Sequence, residues 1–339
     1  MMILAKRFFL VFIFSLISCS SPNNNSIELD IISLKGSTMG TSYNIKYSSE
    51  KKDSSEVEIV HKEIKKILKN INLEMSTYIP ESEISRFNSS KSTEWFNISK
   101  DFFYVVKQSF KYNELSDGRY DITVQPLVNL WGFGPDKFLN PPTEAEIDSV
   151  KQFVGQNLIE INDGKLRKKD SRVQLDLSSI AKGFAVDKIF NYLENYDEVF
   201  VEIGGEIRTK STIKDWKIGI NTPSINNFSN DIEKIISLNN LSIATSGNYR
   251  NYFIYDDKFY HHEIDIKTGK PVQSQIGSIS IISEESCMDA DALSTMYYTM
   301  KLNEISDSIK KFDKLESLLI LVNNDGTFIQ IPSEKFPKN

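Results

Sequence analysis

Apolar positions along this chain follow two different spacings, and the spacing changes from one segment to the next. Over residues 57–71 they recur three or four positions apart, which predicts an amphipathic helix with one face in the core. Around Tyr43 and Ile45 they alternate with polar residues, which predicts a half-buried strand. We expect a turn over Gly36–Gly40 to lead into that strand.

Capping residues mark where further helices begin. Ser99 precedes an apolar run with helical spacing, so we predict that it caps a helix that ends before Gly118. Thr143 and Glu146 have the spacing of a capping box, which predicts another helix. A final pair of helices is expected over residues 289–312.

Strands fill most of the remaining chain. The segment LIEINDGKLRKK predicts a hairpin that turns at Asn162-Asp163-Gly164, and LLILVNNDGTFIQI predicts a second hairpin near the end. The segment RVQLDLSSIAKGFAVDKIFNYL predicts a strand that ends at Asp176 and passes into a helix. Because strands and helices are mixed without a regular βαβ rhythm, the pattern favours an α+β fold over a doubly wound sheet.

Composition and charge narrow the class of protein. The chain has 339 residues, 40% of them hydrophobic and 25% charged, which is typical of globular proteins and allows one large domain or two intimate ones. Its net charge of -6 argues against nucleic-acid binding, because no basic field is available to offset phosphates.

The beginning of the chain differs from the rest in composition. Lys6 and Arg7 precede an apolar run over residues 8–17, which has the layout of a secretory signal and is too short to span a bilayer. The pattern therefore predicts an exported protein.

The segment LISC at the end of this run resembles a bacterial lipoprotein cleavage box. The resemblance implies a signal peptide at 1–18, lipidation of the Cys19 thiol, a flexible tether at 19–27 and a folded domain at 28–339. The alternative is a plain signal peptide with an incidental cysteine. The only other cysteine is Cys287, so a lipidated Cys19 would leave the fold to its hydrophobic core and not to disulfides.

Two segments place oxygen atoms or a positive charge at a predicted helix start. In CMDADALSTMYY, Asp291 shares a helix face with Ser294 and Thr295, and such hard oxygen ligands suit Mg²⁺ or Ca²⁺. The alternative is a helix cap formed by Asp289 or Asp291. In LDLSSIAKGFAVD, the free N–H groups of a helix start and Lys182 suit a phosphate, although an ordinary capped helix with a surface lysine explains them too.

The segment FYHHEIDIKTGKPV offers a general base. His261 and His262 precede Asp265, and a histidine oriented by a nearby acid can accept a proton near neutral pH. If the segment is a strand, the two rings face opposite ways, so a structural role remains the alternative for either one. Tyr78 and Tyr120 lie beside polar turn residues and could either stack on a planar ring or pack in the core.

Taken together and in order, seven motifs resemble the ApbE-type FAD:protein FMN transferases, once called thiamine-biosynthesis lipoproteins. They extend from about Gly36 to Val322 and are GSTMGTSY, MSTYIPESEISRFN, YDITVQPLVNLWGFG, DLSSIAKGFAVD, EIGGEIR, HEIDIKTGKPV and ADALST. The resemblance implies an α+β fold with a mixed sheet, flanking helices and two closely integrated subdomains. It also implies an enzyme that uses FAD and a divalent ion, usually Mg²⁺, to move FMN onto a threonine or serine of a target protein with release of AMP.

The resemblance further implies a role for individual residues. His262 would be the base, because it precedes Asp265 in the H-x-x-D pattern of the family, and Asp291 would also be catalytic. The flavin-contacting positions fall on Met39, Tyr78, Arg119, Tyr120, Asp121, Asp176, Lys182 and Asp265. The metal positions fall on Asp291, Ser294, Thr295 and the main-chain carbonyl of Ser179.

Three functions from different classes remain open at the level of sequence. A transferase would modify flavoprotein subunits of membrane redox complexes at the periplasmic face of the bacterial cell envelope, and we expect a lipid anchor in the inner membrane. A hydrolase would use water at the same site and split FAD into FMN and AMP. A lipid-anchored flavin-binding protein would do neither. The sequence does not separate Mg²⁺ from Ca²⁺ or Mn²⁺, a monomer from a homodimer, or the inner membrane from the outer membrane as the site of the anchor.

Overall fold

A computed structural model describes residues 30–49, 54–135, 137, 140–224, 231–323 and 325–337. The predicted signal peptide, Cys19 and the tether lie outside the described residues. No helix within the described ranges is long and apolar enough to cross a membrane.

The helices begin and end largely where their apolar spacing and caps predict. The first one buries a single stripe of apolar side chains from Val60 to Met75, as the spacing requires. In the described ranges the helices are α1 (Ser54–Met75), α2 (Glu83–Ser89), α3 (Lys100–Leu115), α4 (Gln125–Leu130), α5 (Glu144–Lys151), α6 (Ala181–Tyr192), α7 (Cys287–Tyr298) and α8 (Leu302–Ile309).

The main sheet has eight strands in the order β1-β2-β6-β7-β10-β15-β16-β17. All neighbouring strands in it pair antiparallel, so strand directions alternate throughout this sheet. Its strands are β1 (Asp30–Thr38), β2 (Thr41–Ser49), β6 (Val199–Ile203), β7 (Glu206–Lys210), β10 (Ser242–Gly247), β15 (Ile276–Ser283), β16 (Leu315–Val322) and β17 (Phe328–Pro332). The predicted α+β class is confirmed.

Smaller sheets surround the main one. They contain β3 (Phe96–Asn97), β4 (Ile159–Asn162) and β5 (Lys165–Lys168) in one sheet, β8 (Trp216–Asn221) with β9 (Ile232–Leu238), β11 (Tyr252–Tyr255) with β12 (Lys258–His261), and β13 (Ile264–Asp265) with β14 (Lys270–Pro271).

Successive side chains of the main sheet enter two different hydrophobic clusters. On β6, Val199 and Val201 face the cluster formed with helices α1, α3, α6 and α7, whereas Phe200 faces the cluster under β8 and β9. This alternation follows from the period of two along a strand. The sheet is thereby covered on both faces, and helices α6 and α7 lie beside it.

Several local predictions are confirmed in detail. The Ser99 side chain accepts a hydrogen bond from the Phe102 N–H, and Thr143 and Glu146 form the capping box. The hairpin β4–β5 turns at Asp163 and Gly164, which both have positive φ. At the start of α7 neither Asp289 nor Asp291 is the cap, because Ser286 takes that position.

Two expectations of local structure were wrong. Gly36 belongs to β1, and the turn before β2 is limited to Met39 and Gly40, where φ is positive at both residues. Residues 173–177 form no strand. Their backbone is held instead by the Asn88 side chain, which bonds both the N–H and the carbonyl of Leu175. Ser178 and Ser179 lie in the turn that leads into α6.

Candidate functional site

A cleft of about 790 Å³ lies where β6 turns into β7 and where β10 ends. The segment that precedes α6, one side of α7 and the bend after β12 complete its walls. This volume falls within the range of pockets that hold small molecules and cofactors. The sequence motifs that were far apart along the chain therefore meet around one space.

Three elements bring charged side chains together in the cleft. The Nζ atom of Lys182 on α6 lies 2.9 Å from Oε1 of Glu206 on β7 and 3.7 Å from Oδ1 of Asp291 on α7. We call these three residues the cleft ion cluster. Both carboxylates are almost fully buried, and the Lys182 ammonium is the positive charge that lies beside them.

The buried charges shift one another's proton affinity. Burial raises the pKa of Asp291, while Lys182 opposes that rise and Glu206 adds to it. For Lys182, burial works to lower the pKa, but the carboxylates of Asp291 and Glu206 outweigh it and hold the value above the ordinary one. The ammonium is therefore protonated at neutral pH, and its charge is available to a phosphate group.

Helices α6 and α7 approach each other closely beside this cluster. A Cβ atom on Gly183 would lie 2.4 Å from the Cys287 carbonyl oxygen and 2.7 Å from the Asp291 Cβ, so only glycine fits there. The Gly183 N–H donates to Asp291 Oδ2 at 2.8 Å. Asp291 therefore caps the start of α6, whereas the alternative prediction, that it caps its own helix, was wrong.

Hydroxyl groups lie next to Asp291 on α7. Thr295 lines the cleft, whereas Ser294 is buried and donates to the Asp291 carbonyl at 2.9 Å. The Ser246 hydroxyl of β10 lies 2.9 Å from Ser294 Oγ and 3.1 Å from Thr295 Oγ1. Asp291 and Thr295 of the predicted helix face line the cleft, whereas Ser294 does not and bonds within the fold instead.

The donor set suits a hard divalent cation. It combines the Asp291 carboxylate and the Thr295 hydroxyl with Glu206 Oε2, which has no hydrogen-bond partner among the described residues. Within the described chain no group of three or more His, Cys, Asp or Glu side chains could hold a metal ion. A cation at this place would therefore depend on hydroxyl, carbonyl, water and phosphate oxygens for most of its ligands, which is the usual situation of Mg²⁺ beside a phosphate.

His262 faces the cleft from the bend after β12. Its Nδ1 atom lies 3.2 Å from the Asn251 carbonyl oxygen, and since a carbonyl only accepts, Nδ1 carries the proton and Nε2, which lies 3.6 Å from Glu263 Oε1, is unprotonated. The cleft walls and the neighbouring His261 lower the pKa of His262 to about 4, although 36% of its side chain remains exposed. The ring is therefore neutral at pH 7 and able to accept a proton.

The neighbouring histidine has a different environment. His261 is buried, its Nε2 lies 2.8 Å from the Val272 carbonyl, and its Nδ1 accepts from the Glu263 N–H. Both ring nitrogens are used within the fold, so His261 has the structural role. The predicted partner Asp265 does not orient His262, because its carboxylate accepts from the Lys267 N–H.

Among the cleft residues outside the predicted set, three polar ones bear directly on its chemistry: Glu206, Ser246 and Glu263. Glu206 and Glu263 lie inside the motifs EIGGEIR and HEIDIKTGKPV, so their position in those motifs was the available signal. Burial raises the pKa of Glu263 to about 8, with Lys182 opposing and Asp291 adding to the rise. Ser246 had no such signal, since only the pairing of β10 with its neighbours brings it to α7.

Several predicted flavin positions line the cleft. Arg119, Tyr120, Asp121 and Asp176 are on its wall, together with Lys182. The Tyr120 hydroxyl accepts from Ser179 Oγ at 2.9 Å, which ties two of the motifs together. Asp121 has little capacity left for a ligand, because its oxygens accept from the N–H groups of Thr123 and Gln156.

The remaining predicted flavin positions lie off the cleft wall. Met39 is partly buried at the β1–β2 turn, and Asp265 bonds within its own turn. Tyr78 is largely exposed, and its hydroxyl donates to the Phe133 carbonyl at 3.3 Å. Their contact with flavin stays a prediction.

Comparison with known proteins places the same residues in one family. The model of the ApbE family matches residues 39–319. Proteins named FAD:protein FMN transferase from Haemophilus influenzae and Vibrio cholerae are each 38% identical, the first over 92% of both chains and the second over 90% of this chain and 91% of its own. The solved structure of the flavin transferase ApbE from Vibrio cholerae superposes with a TM-score of 0.80 at 36% identity and covers 91% of this chain and 98% of its own.

Proposed function

This chain belongs to the ApbE family and is a transferase of the FAD:protein FMN type, and we propose that it attaches FMN to a threonine or serine hydroxyl of a target flavoprotein and releases AMP. The observation that carries this proposal is the arrangement of the cleft. A neutral His262 with an unprotonated Nε2 faces the same space as Lys182 and Asp291, so a base and a phosphate-binding charge are available together.

The proposed reaction is a phosphoryl-type transfer. The acceptor hydroxyl oxygen forms a new bond to the phosphorus of the FMN half of FAD. The bond from that phosphorus to the bridging oxygen breaks, and AMP leaves with the bridging oxygen. Such reactions depend mainly on positioning and on neutralisation of charge rather than on covalent help from the enzyme.

The proton of the acceptor hydroxyl passes to Nε2 of His262 as the new bond forms. The hydrogen bond from Nδ1 to the Asn251 carbonyl holds the ring in the tautomer that this step requires. Lys182, which is held between two carboxylates, can offer its ammonium group to the pyrophosphate.

We propose that the Asp291 carboxylate, the Thr295 hydroxyl and the Ser179 carbonyl hold Mg²⁺, with Glu206 Oε2 beside them. The Ser294 hydroxyl bonds to Ser246 and to the Asp291 carbonyl, so it would have to rotate to join them. The unpartnered Glu206 oxygen and the hydroxyls beside Asp291 support this choice. When bound, Mg²⁺ neutralises charge that develops on the pyrophosphate and the leaving AMP.

The test uses the purified protein with FAD, Mg²⁺ and a flavoprotein domain that bears an acceptor threonine. The intact mass of that domain should rise by the mass of one FMN group, and EDTA should prevent the rise. Free FMN and AMP without a mass gain would favour the hydrolase instead, and bound FAD without either product would contradict both catalytic functions.

We also propose that the protein acts at the periplasmic face of a bacterial inner membrane, held there by lipid on Cys19. The support is the sequence of residues 1–19, which lies outside the described residues. In that location the enzyme would meet the flavoprotein subunits of membrane redox complexes, which are the proposed acceptors.

A further inference from the structure

Helices α6 and α7 cap each other's first turns. The first N–H groups of a helix have no partner within it. On α6 the Gly183 N–H donates to Asp291 Oδ2 at 2.8 Å. On α7 the N–H groups of Cys287 and Met288 both donate to the carboxylate of Asp187, at 2.9 Å each. Each helix therefore gives a carboxylate to the other.

These two caps fix the register of one helix against the other. Gly183 lies opposite Asp291 and Asp187 lies opposite Cys287, so the helices run antiparallel and the caps are one turn apart on each. Between the caps the backbones touch at Gly183. A slide or a rotation of α7 would break both caps at once.

A third element joins the cap on α7. Arg208 of β7 places Nη1 2.5 Å from Asp187 Oδ1, and its Nη2 donates to the Glu285 carbonyl at 3.3 Å. The guanidinium also lies 4.4 Å from the centre of the Phe190 ring. We call Asp187, Arg208 and the two α7 amides the Asp187 clamp.

The clamp is built from the same three elements as the cleft ion cluster. Helix α6 supplies Lys182 to the cluster and Asp187 to the clamp. Strand β7 supplies Glu206 and Arg208, which are two residues apart and hence lie on one face. Helix α7 supplies Asp291 to the cluster and its first amides to the clamp.

The start of α7 is already capped without this clamp. The Ser286 side chain accepts from the Asp289 N–H at 3.0 Å, which is the usual local cap. The contribution that Asp187 adds is a connection between elements, because a local cap cannot hold α7 against α6 and β7.

We infer that Asp187 and Arg208 are positioning residues that hold the Asp291 carboxylate at its place beside Lys182 and Glu206. The effect on transfer rate rests on the proposed function, whereas the effect on helix register does not. Both residues lie outside the cleft wall, and they act through the position of α7.

The first test replaces Asp187 by Asn. One amide oxygen cannot accept from two N–H groups and also face Arg208 as a carboxylate does. We expect the kcat of transfer to fall about 10- to 100-fold, as for other groups that orient a catalytic ligand, with a smaller change in the KM for FAD. Without metal or FAD, hydrogen exchange of the Gly183 amide, followed by NMR, should become about tenfold faster.

The matched control is Ser286→Ala, which removes the local cap of the same helix. It should lower the Tm by about 2–4 °C and leave both kcat and Gly183 exchange as in the wild type. A second pair of variants tests Arg208. Arg208→Lys keeps a positive charge beside Asp187 and should recover part of the rate that Arg208→Gln loses.

The inference is wrong if Asp187→Asn keeps the wild-type kcat or the wild-type exchange of Gly183. It is equally wrong if Ser286→Ala loses as much rate as Asp187→Asn, since the loss would then follow from stability alone. If Asp187→Asn does not fold, the comparison of the two Arg208 variants decides. A wild-type protein without transfer activity would overturn the proposed function, and the exchange measurement would still decide on the clamp.

Discussion

The base of the proposed reaction is defined by one hydrogen bond. The Asn251 carbonyl accepts the hydrogen bond from Nδ1–H of His262 and so leaves Nε2 unprotonated. Replacing His262 by Ala should lower the transfer rate by about 100-fold or more, because general base catalysis is lost, while FAD binding remains mostly intact. Transfer is measured by the mass of the acceptor domain and FAD binding by flavin fluorescence.

His61 provides the control for that variant. It lies on α1, with Nε2 3.1 Å from the Tyr43 hydroxyl, and does not line the cleft. His61→Ala should keep the wild-type rate. Undiminished transfer by His262→Ala would show that another group takes the proton.

The pH dependence of the reaction gives a second prediction at this scale. His262 must be neutral to accept a proton, and burial lowers its pKa to about 4. The kcat/KM for FAD, which reports on the free enzyme, should therefore show no loss from His262 protonation between pH 8 and pH 6 and should fall as the pH drops through about 4. Because Asp291 and Glu263 in the same cleft also have raised pKa values, NMR titration of the His262 ring decides: a ring pKa near the ordinary histidine value of about 6.5 would contradict this environment.

Single residues also show how far the sequence could predict the site. The positions of Asp291 and Thr295 follow from helix spacing, and Lys182 from its place near a helix start. Spacing could not predict that Ser294 turns to Ser246, because that contact depends on the pairing of β10 in the sheet. Spacing also does not predict which way a side chain in a turn points, as at Asp265 and Tyr78.

Among the elements, the contact of α6 with α7 determines the site most directly. Alanine normally stabilises a helix by about 1 kcal/mol relative to glycine. At Gly183 the added Cβ would meet the Cys287 carbonyl at 2.4 Å, so the sign should reverse. Gly183→Ala should destabilise the protein by about 1–3 kcal/mol in urea unfolding and lower the transfer rate, because Asp291 is displaced.

An exposed position on the same helix provides the comparison. Asn191 is exposed in the last turn of α6, so Asn191→Ala changes helix propensity without forcing a new contact and should change stability by less than about 0.5 kcal/mol and leave the rate unchanged. If Gly183→Ala were as stable and as active as Asn191→Ala, the close approach of the two helices would not matter for the site.

Elements with strong local signals were predictable, and those held by distant contacts were not. The helix after Ser99, the capping box at Thr143 and the hairpin β4–β5 follow from residues a few positions apart. The segment 173–177 has the apolar alternation of a strand, but its backbone partner is the side chain of Asn88, which is 87 positions away from Leu175. Sequence spacing carries no information about such a partner.

On the scale of the whole molecule, sheet order brings the motifs together. Strands β7 and β10 are neighbours in the sheet although 31 residues separate Lys210 from Ser242 in the chain, and α7 packs beside them. This arrangement explains why motifs that are individually weak meet around one cleft. The family resemblance supplied that arrangement at the sequence level, because local patterns do not define it.

The proposed anchor is tested on the full chain in a bacterial host. Wild-type protein should enter the detergent phase on Triton X-114 partition and carry a lipid mass on Cys19. Cys19→Ser should lose the lipid, while its transfer activity in detergent extract should match that of the wild type. If the wild-type protein carried no lipid, or if both proteins partitioned equally, lipidation of Cys19 would be contradicted. The segment before Cys19 would then be interpreted as a plain signal peptide.

Transfer of FMN to a protein hydroxyl is tested most directly by the ratio of AMP released to FMN attached. This ratio is measured with an acceptor domain and with the same domain after its acceptor threonine is replaced by valine. We expect equal amounts of AMP and attached FMN with the threonine, and almost no AMP with the valine, because the acceptor hydroxyl is the nucleophile. AMP released at the same rate from both domains would mean that water attacks the phosphorus, and it would contradict a transferase whose cleft serves a protein hydroxyl.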